Sequence, residues 1–345
     1  MALIPIDGAP PGAGGQVLRT ALALSAATGQ GFSMTRIREK ALRPGLHPHH
    51  VAAVRAAALV CSARVHGAFD GSPDLRFEPG PPAGGEFHFE IGGAGAATLV
   101  LQLVVPALAA AAPASRVEAA GGTHVPASPT FEYLSRHWAA VMARLGLDVT
   151  ATLERAGYAP RGDGLIVATV APWRRPASLA LEERGALVVV RGVSTSGRLK
   201  GDVARRQRDA AQALFWERRR LEAEWEVAEV DAGGPGASLL VEAVFEGGRA
   251  AFGYLAEGGV ASERLGERAA RRLLRFLEDE EGAVDPHLAD QLAVPMALAG
   301  GGGRVTTPEV TRHLETVAGV LGRFGFSARA WGRRGGPGGL EVGRC

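Results

Sequence analysis

The spacing of apolar residues along the chain alternates between the period of a strand and that of a helix. Two apolar segments of strand length, residues 2–6 and 86–91, are each followed by a glycine-rich turn. After each turn, apolar residues recur every three or four positions, which predicts helices at Gln16–Thr28 and at residues 96–112. Because strand, glycine turn and helix return in the same order, the pattern predicts a repeated structural unit.

The rest of the pattern predicts a mixed α+β protein. Further helices are predicted at residues 48–61, 131–145, 202–222, 262–281, 286–299 and 308–323. Further strands are predicted at residues 116–119, 147–153, 164–171, 186–193, 224–230, 238–245 and 328–331. The most hydrophobic segment, 96–112, is interrupted by Gln102 and Pro106 and is shorter than the ~20 apolar residues of a membrane span. We therefore expect it to form a buried helix, with no membrane association.

Composition divides the chain into two regions. Arginines are dense between residues 181 and 280, whereas the flanking regions are rich in alanine and glycine. This shift predicts a smaller inserted α/β domain at 181–280 and a main domain built from residues 1–180 and 281–345. Glutamates are interleaved with these arginines and the formal net charge is only +2, so most of the arginines are expected on solvated helix faces rather than on nucleic acid.

The choice of basic residues excludes several classes of enzyme. Among 38 lysines and arginines, only Lys40 and Lys200 are lysines. Neither lysine lies in a Walker phosphate-binding loop or in the Lys-x-Asp-Gly motif of lysine nucleotidyltransferases. The scarcity of lysine also disfavours an enzyme that forms a Schiff base through a lysine side chain. The two cysteines are far apart and no leader-like basic and apolar segment opens the sequence, so we expect a cytoplasmic protein without a disulfide framework.

Two segments have the composition of phosphate-binding sites. The glycine-rich turn at residues 7–16 places backbone N–H groups at a predicted helix N-terminus, although such turns also serve geometry alone. The loop at residues 36–50 contains six side chains suited to phosphate, namely Arg36, Arg38, Arg43, His47, His49 and His50. An exposed loop that binds nothing is the alternative. Zinc is disfavoured because no cysteine is near and the histidine spacing fits no closed tetrahedral set.

Two helix starts near the C-terminus carry candidate chemistry. Asp285 and Pro286 have the residue types of an N-cap and a first helical position, which would place His287, Asp290 and Gln291 on one polar face. Such a polar face is about equally consistent with a nucleotide-binding site and with a surface that is simply exposed to solvent. In the last helix, the spacing of the apolar residues leaves His313 at the edge of the buried stripe. There the imidazole could act as an accessible nucleophile, or it could have a structural role only.

Taken together, the motifs resemble those of the RNA 3′-terminal phosphate cyclase family. The matching segments run nearly end to end through residues 7–19, 37–50, 93–102, 121–129, 234–238 and 287–291. The resemblance implies a large domain of three repeated units, each a small sheet with two helices, and a smaller inserted α/β domain.

The resemblance also implies a mechanism and a set of site residues. ATP would adenylylate His313, AMP would pass to an RNA 3′-phosphate, and the neighbouring 2′-hydroxyl would close a 2′,3′-cyclic phosphate. ATP and a divalent metal, Mg or Mn, are the implied cofactors, and RNA with a 3′-phosphate end is the implied partner. The implied nucleotide contacts are Gln102, Pro129, Phe252, His287, Leu288, Ala289, Asp290 and Gln291. The implied phosphate contacts are Arg19, Arg38, Arg43 and His50.

Three positions depart from the family pattern. Gly12 stands where the family has a metal-binding glutamate, so no metal ligand is assigned. Ala41 replaces the second arginine of the Pro-Gly-Leu motif, and His287 replaces an aromatic residue that stacks on adenine. These departures keep open a catalytically weak or inactive RNA-binding paralogue. A third, remote hypothesis is an enolpyruvyl transferase. Such enzymes rely on lysines, and Lys40 and Lys200 are poorly placed for that role. The sequence leaves the oligomeric state open.

Overall fold

Four small sheets organise the chain. The computed structural model describes residues 2–9, 15–93, 95–279 and 281–344. Within them, the strands form four sheets of four strands each. In three of these sheets the first strand pairs parallel with the second, the second pairs antiparallel with the fourth, and the fourth pairs antiparallel with the third. The predicted repeat is therefore confirmed as a repeated topology.

The first two repeats follow one another directly. The first contains β1 (Ile4–Asp7), α1 (Gln16–Thr28), β2 (Phe32–Thr35), α2 (Pro48–Cys61), β3 (Arg64–His66) and β4 (Leu75–Glu78). The second contains β5 (Glu86–Glu90), α3 (Ala97–Ala110), β6 (Ser115–Gly121), a π-helical segment (Tyr133–Trp138), α4 (Ala139–Arg144), β7 (Val149–Arg155) and β8 (Gly164–Val170). Their helices bury alanine-, leucine- and valine-rich faces against each other and the sheets, which forms one core shared with the third repeat.

The third repeat is interrupted after its first strand, β9 (Leu179–Leu181). The intervening residues form β10 (Leu187–Gly197), α5 (Val203–Arg219), β11 (Glu224–Glu229), β12 (Gly236–Phe245), β13 (Arg249–Leu255) and α6 (Ser262–Asp279). These elements have a core of their own. The repeat resumes with α7 (Pro286–Gln291), α8 (Ala293–Ala299), β14 (Gly303–Thr307), α9 (Arg312–Arg323), β15 (Ala328–Gly332) and β16 (Gly338–Val342). We keep 181–280 as the proposed extent of an inserted domain.

One side chain joins the two ends of this interruption. The hydroxyl of Thr306 on β14 donates a hydrogen bond to the carbonyl of Glu182, at 2.7 Å, and accepts one from the N–H of Ala283, at 2.9 Å. The chain therefore leaves and re-enters the third repeat at nearly the same point.

The predicted elements agree best where apolar periodicity is uninterrupted. Helices α1 and α2 have the predicted bounds. The helix predicted at 131–145 is π-helical in its first half, and the one predicted at 286–299 is divided into α7 and α8. The strands that no pattern indicated are β2, β3, β4, β9, β13, β14 and β16. Within the described residues, no helix combines the length and apolar character that crossing a membrane requires.

Candidate active site

A central cleft brings together most of the predicted nucleotide contacts. It has a volume of about 610 Å³ and lies among α1, α3, α7, α9, the loop before the π-helical segment and β13. The predicted residues that line it are Arg19, Gln102, Pro129, Phe252, His287, Asp290, Gln291 and His313. These positions come from all three repeats and from the interrupting sheet, so the cleft exists only in the folded whole.

Helix α7 presents one face to this cleft. The Asp285 carboxylate caps the helix by accepting hydrogen bonds from the N–H groups of His287, at 3.1 Å, and Leu288, at 3.0 Å. His287, Asp290 and Gln291 line the cleft, which confirms that they share a face. Leu288 and Ala289 are fully buried in the core and do not line the cleft. Helical periodicity turns these two side chains to the face opposite the cleft, and their role as nucleotide contacts stays a prediction.

Two amides and a carboxyl define the polar part of the cleft. Gln102 Nε2 donates to Gln291 Oε1 at 2.7 Å, which fixes the orientation of both side chains across the cleft. The pKa of Asp290 is raised to about 8, chiefly by burial, while the charge of Arg19 opposes the rise and that of Asp285 adds to it. Asp290 therefore holds a proton near neutral pH and can donate a hydrogen bond.

His313 lies in the first turn of α9 with its side chain exposed to the cleft, while Leu314 beside it is fully buried. Thr311 caps the helix by accepting from the N–H of Leu314 at 3.0 Å, which fixes the turn that carries the imidazole. Partial burial lowers the pKa of His313, and the positive charges of Arg19 and His287 lower it further. The imidazole is accordingly neutral near pH 7, with a nitrogen lone pair available.

A basic cluster lies on the other side of Arg19. We give this name to Arg38, Arg43, His49 and His50. A Cβ atom built on Gly15 would lie 2.7 Å from both Arg19 Nη1 and His50 Nε2, so these two groups converge on the start of α1. Arg19 also helps to depress the pKa of His49 and of His50. It therefore borders both the central cleft and the basic cluster.

Within the basic cluster, the protonation of His50 is well defined. Its Nδ1 accepts a hydrogen bond from the N–H of His47 at 3.0 Å. The pKa of His50 is lowered to about 2, chiefly by burial and in addition by the charges of His49, Arg38 and Arg19. A neutral ring with Nδ1 as acceptor carries its proton on Nε2, so His50 presents an N–H donor towards Gly15.

The three neighbouring histidines are close enough together to hold a metal, but their surroundings favour an anion. The ligand atoms of His47, His49 and His50 lie within 4.8 Å of one another. However, His50 Nδ1 is engaged as an acceptor and the cluster also contains Arg38 and Arg43. A concentration of positive charge suits an anion better than a cation. We assign no metal to these histidines.

The positions that depart from the family pattern have different outcomes. Gly12 lies outside the described residues. Ala41 is half-buried, and the exposed Arg43 lies near enough to Arg38 that its charge adds to burial in lowering the Arg38 pKa. His287 lines the cleft together with Pro129, as the predicted adenine platform requires.

The cleft is also lined by residues that were not predicted from the sequence. Tyr254, Arg272, Glu309 and Thr311 are among them. Arg272 comes from α6 and stacks over the Phe252 ring at 4.0 Å. Most arginines of residues 181–280 were expected on solvated helix faces, but the packing of α6 on β13 brings Arg272 to the cleft.

Comparison with known proteins identifies relatives over most of the chain. The family model described as RNA 3′-terminal phosphate cyclase matches residues 12–327. A protein of Ralstonia nicotianae named RNA 3′-terminal phosphate cyclase is 43% identical over 93% of this chain and 91% of its own length. Similarly named proteins of Ectopseudomonas mendocina and Methylococcus capsulatus are 39% and 38% identical, over 93% and 95% of this chain and 92% of each relative.

Proposed function

Since the chain belongs to the RNA 3′-terminal phosphate cyclase family, we propose that it uses ATP to convert an RNA 3′-phosphate into a 2′,3′-cyclic phosphate, with His313 as the nucleophile. The observation that carries the role of His313 is its position. A neutral imidazole faces a cleft of about 610 Å³, close enough to Arg19 to feel its charge, and the hydrogen-bonded amides of Gln102 and Gln291 line the same cleft.

The first step forms a phosphoramidate. A ring nitrogen of His313 attacks the α-phosphorus of ATP, the new P–N bond replaces the bond to the bridging oxygen, and pyrophosphate leaves. The lowered pKa of His313 keeps its lone pair free for this attack. Arg19 offers positive charge where charge builds up on the phosphate oxygens.

The second and third steps use the basic cluster. An oxygen of the RNA 3′-phosphate attacks the α-phosphorus, the P–N bond breaks, and an RNA–adenylate results. The 2′-oxygen then attacks the terminal RNA phosphorus, loses its proton, and displaces AMP. Arg38, Arg43 and the N–H of His50 would hold the RNA phosphate in this sequence, and proximity of the 2′-hydroxyl favours ring closure.

The proposed divalent metal, Mg or Mn, would shield the triphosphate charge. Of the described residues that line the cleft, Asp290 and Glu309 are the acidic ones. Asp290 is a poor ligand because burial raises its pKa to about 8. Glu309 is exposed on the same wall as His313, and a magnesium ion bound mainly by phosphates and water needs only about one or two carboxylates. Glu309 therefore fits this role.

The alternatives are weakened by the same geometry. A silent RNA-binding paralogue needs neither an accessible, neutral His313 nor a cleft beside it. An enolpyruvyl transferase that relies on lysine is disfavoured because Lys40 and Lys200 are exposed and neither lines the cleft.

Covalent labelling tests the proposal. The protein is incubated with α-labelled ATP and Mg or Mn, quenched in alkali, and examined for acid-labile label. We expect label on the wild type and on His66→Ala, an exposed histidine of β3, and a loss of at least ~10³-fold in His313→Ala. An unlabelled wild-type protein that still binds RNA would favour the silent paralogue. Label retained by His313→Ala would assign the nucleophile elsewhere.

A further inference from the structure

A chain of buried charged groups runs from the interrupting sheet to the cap of α7. Arg249 on β13 donates to Glu242 Oε1 on β12, at 2.6 Å from Nη2 and 3.0 Å from Nε. Glu242 Oε1 lies 2.7 Å from His137 Nδ1, and His137 Nε2 lies 2.8 Å from Asp285 Oδ2. His137 and Asp285 are fully buried, and Glu242 is 3% exposed. Four groups on four elements therefore form one connected path.

The hydrogen bonds determine the charge on His137. Ionised carboxylates only accept, so both ring nitrogens of His137 must donate, and the ring is an imidazolium. Burial alone would lower the pKa of His137, but its hydrogen bonds to Asp285 and Glu242 outweigh burial and raise it. Two cations and two anions alternate along the path, so the charges balance where an unpaired charge would be costly.

Asp285 is the point at which this path meets the central cleft. Its Oδ2 accepts from His137 and, at 3.3 Å, from the N–H of Ala251 on β13. Its Oδ1 accepts from Tyr133 at 3.0 Å and caps α7. Helix α7 has only six residues, so little beyond this cap and its packing fixes its orientation.

We propose that His137 is a positioning residue for nucleotide binding: it locks the Asp285 cap to the interrupting sheet and so sets how α7 presents its cleft face to ATP. This inference rests on the proposed function, because it assumes that the cleft face of α7 holds the nucleotide. His137 itself does not line the cleft. Its effect reaches ATP only through Asp285.

Two neighbouring contacts distinguish this role from general stabilisation. His124 and Glu132 form a second buried pair, at 3.0 Å, and the hydrogen bonds of the His124 ring to described residues go to Thr123 and Glu132 rather than to α7. Arg136, adjacent to His137, pairs at 2.6 Å with Glu226 on β11 of the same interrupting sheet, on the exposed surface. Breaking the Arg136 pair therefore disturbs the same junction without touching the cap.

Equilibrium binding provides the test. The variants are Glu242→Gln and His137→Asn, with Arg136→Gln as the matched control. The two probes are α,β-methylene-ATP, which cannot transfer AMP, and an RNA oligonucleotide with a 3′-phosphate, each titrated by calorimetry. Because both variants loosen the Asp285 cap without removing it, we expect both to bind the ATP analogue about 5-fold more weakly. RNA binding by these variants, and both affinities of Arg136→Gln, should stay within about twofold of wild type.

Each outcome bears on a different claim. Unchanged analogue binding in folded variants, or an equal loss of RNA binding, overturns the positioning role. Failure of the wild type to bind the analogue overturns the proposed function instead. If neither variant folds, ¹⁵N spectra of the wild-type histidines decide: both His137 N–H signals should be present at neutral pH and should shift when the analogue binds. Signals that do not respond to the analogue would overturn the inference.

Discussion

The central cleft and the basic cluster adjoin each other, yet burial leaves different chemistry available in each. In the cleft, burial raises the pKa of Asp290 and lowers that of His313, so a carboxylic acid and an imidazole both approach neutrality. In the basic cluster, burial and mutual repulsion neutralise His50, but Arg38 and Arg43 keep their charge. The central cleft therefore suits an uncharged nucleobase and a nucleophilic imidazole. The basic cluster suits a phosphate dianion. Arg19 belongs to both.

The largest expected effect comes from removing the residue that the two regions share. Arg19→Leu should lower kcat/KM for both ATP and RNA by about 10²- to 10³-fold, because one guanidinium serves both phosphates. Initial-rate kinetics with each substrate varied in turn measures this. Arg55→Leu, an exposed arginine of α2, is the charge-matched control. A loss confined to one substrate would show that Arg19 serves one region only.

Changing the basic cluster alone should separate the two regions. His50→Ala removes the N–H that faces Gly15, and we expect the KM for the RNA end to rise about 10-fold, as for a lost hydrogen bond to a charged group. Adenylylation of the protein by ATP alone should change by less than about twofold. Labelling with α-labelled ATP and cyclisation kinetics measure the two halves. Equal losses in both assays would contradict the division.

A smaller effect, on ATP rather than on RNA, is expected from a change in the cleft. Gln102→Leu removes the amide that bonds to Gln291, and the Kd for ATP should rise about fivefold, the effect of one hydrogen bond of ~1 kcal/mol. Calorimetric titration with α,β-methylene-ATP measures it. The affinity for a 3′-phosphorylated oligonucleotide is the internal control. A parallel loss of RNA affinity would mean that the two regions are coupled through this amide pair.

The last expected effect concerns stability rather than substrate binding, and it depends on pH. The folded pKa of Asp290 is raised to about 8, well above the ~3.9 of an unfolded chain, so its contribution to the free energy of unfolding declines as pH rises from about 4 to about 8. Asp290→Asn removes that decline. The difference in Tm between the variant and the wild type should therefore shift in favour of the variant as pH increases from about 5 to about 8. Thermal unfolding across this range checks it, and a constant difference in Tm would contradict the raised pKa.

Sequence patterns predicted local structure better than the partners of each side chain. The uninterrupted apolar stripes of α1 and α2 specify their bounds, because one buried face dictates one period. Strands such as β2 and β16 are only four or five residues long, so pairing within the folded sheet stabilises them rather than any signal of their own.

The same contrast holds in the candidate site. Residues on one helix face, such as His287 and Gln291, were grouped correctly by spacing. Arg272 was not, because α6 meets the cleft only after it packs on β13. The buried role of His137 was equally hidden, since its partners Glu242 and Asp285 lie 105 and 148 residues away along the chain.

The Thr306 hydroxyl binds both the carbonyl that precedes the interrupting residues and the N–H that follows them. These two bonds hold the ends of the intervening chain together, and the entropic cost of closing a loop rises only slowly with its length. A long segment can be accommodated there, or exchanged, with little cost to the scaffold. Backbone continuity and communication with the cleft consequently depend on different groups, Thr306 for the former and His137 for the latter.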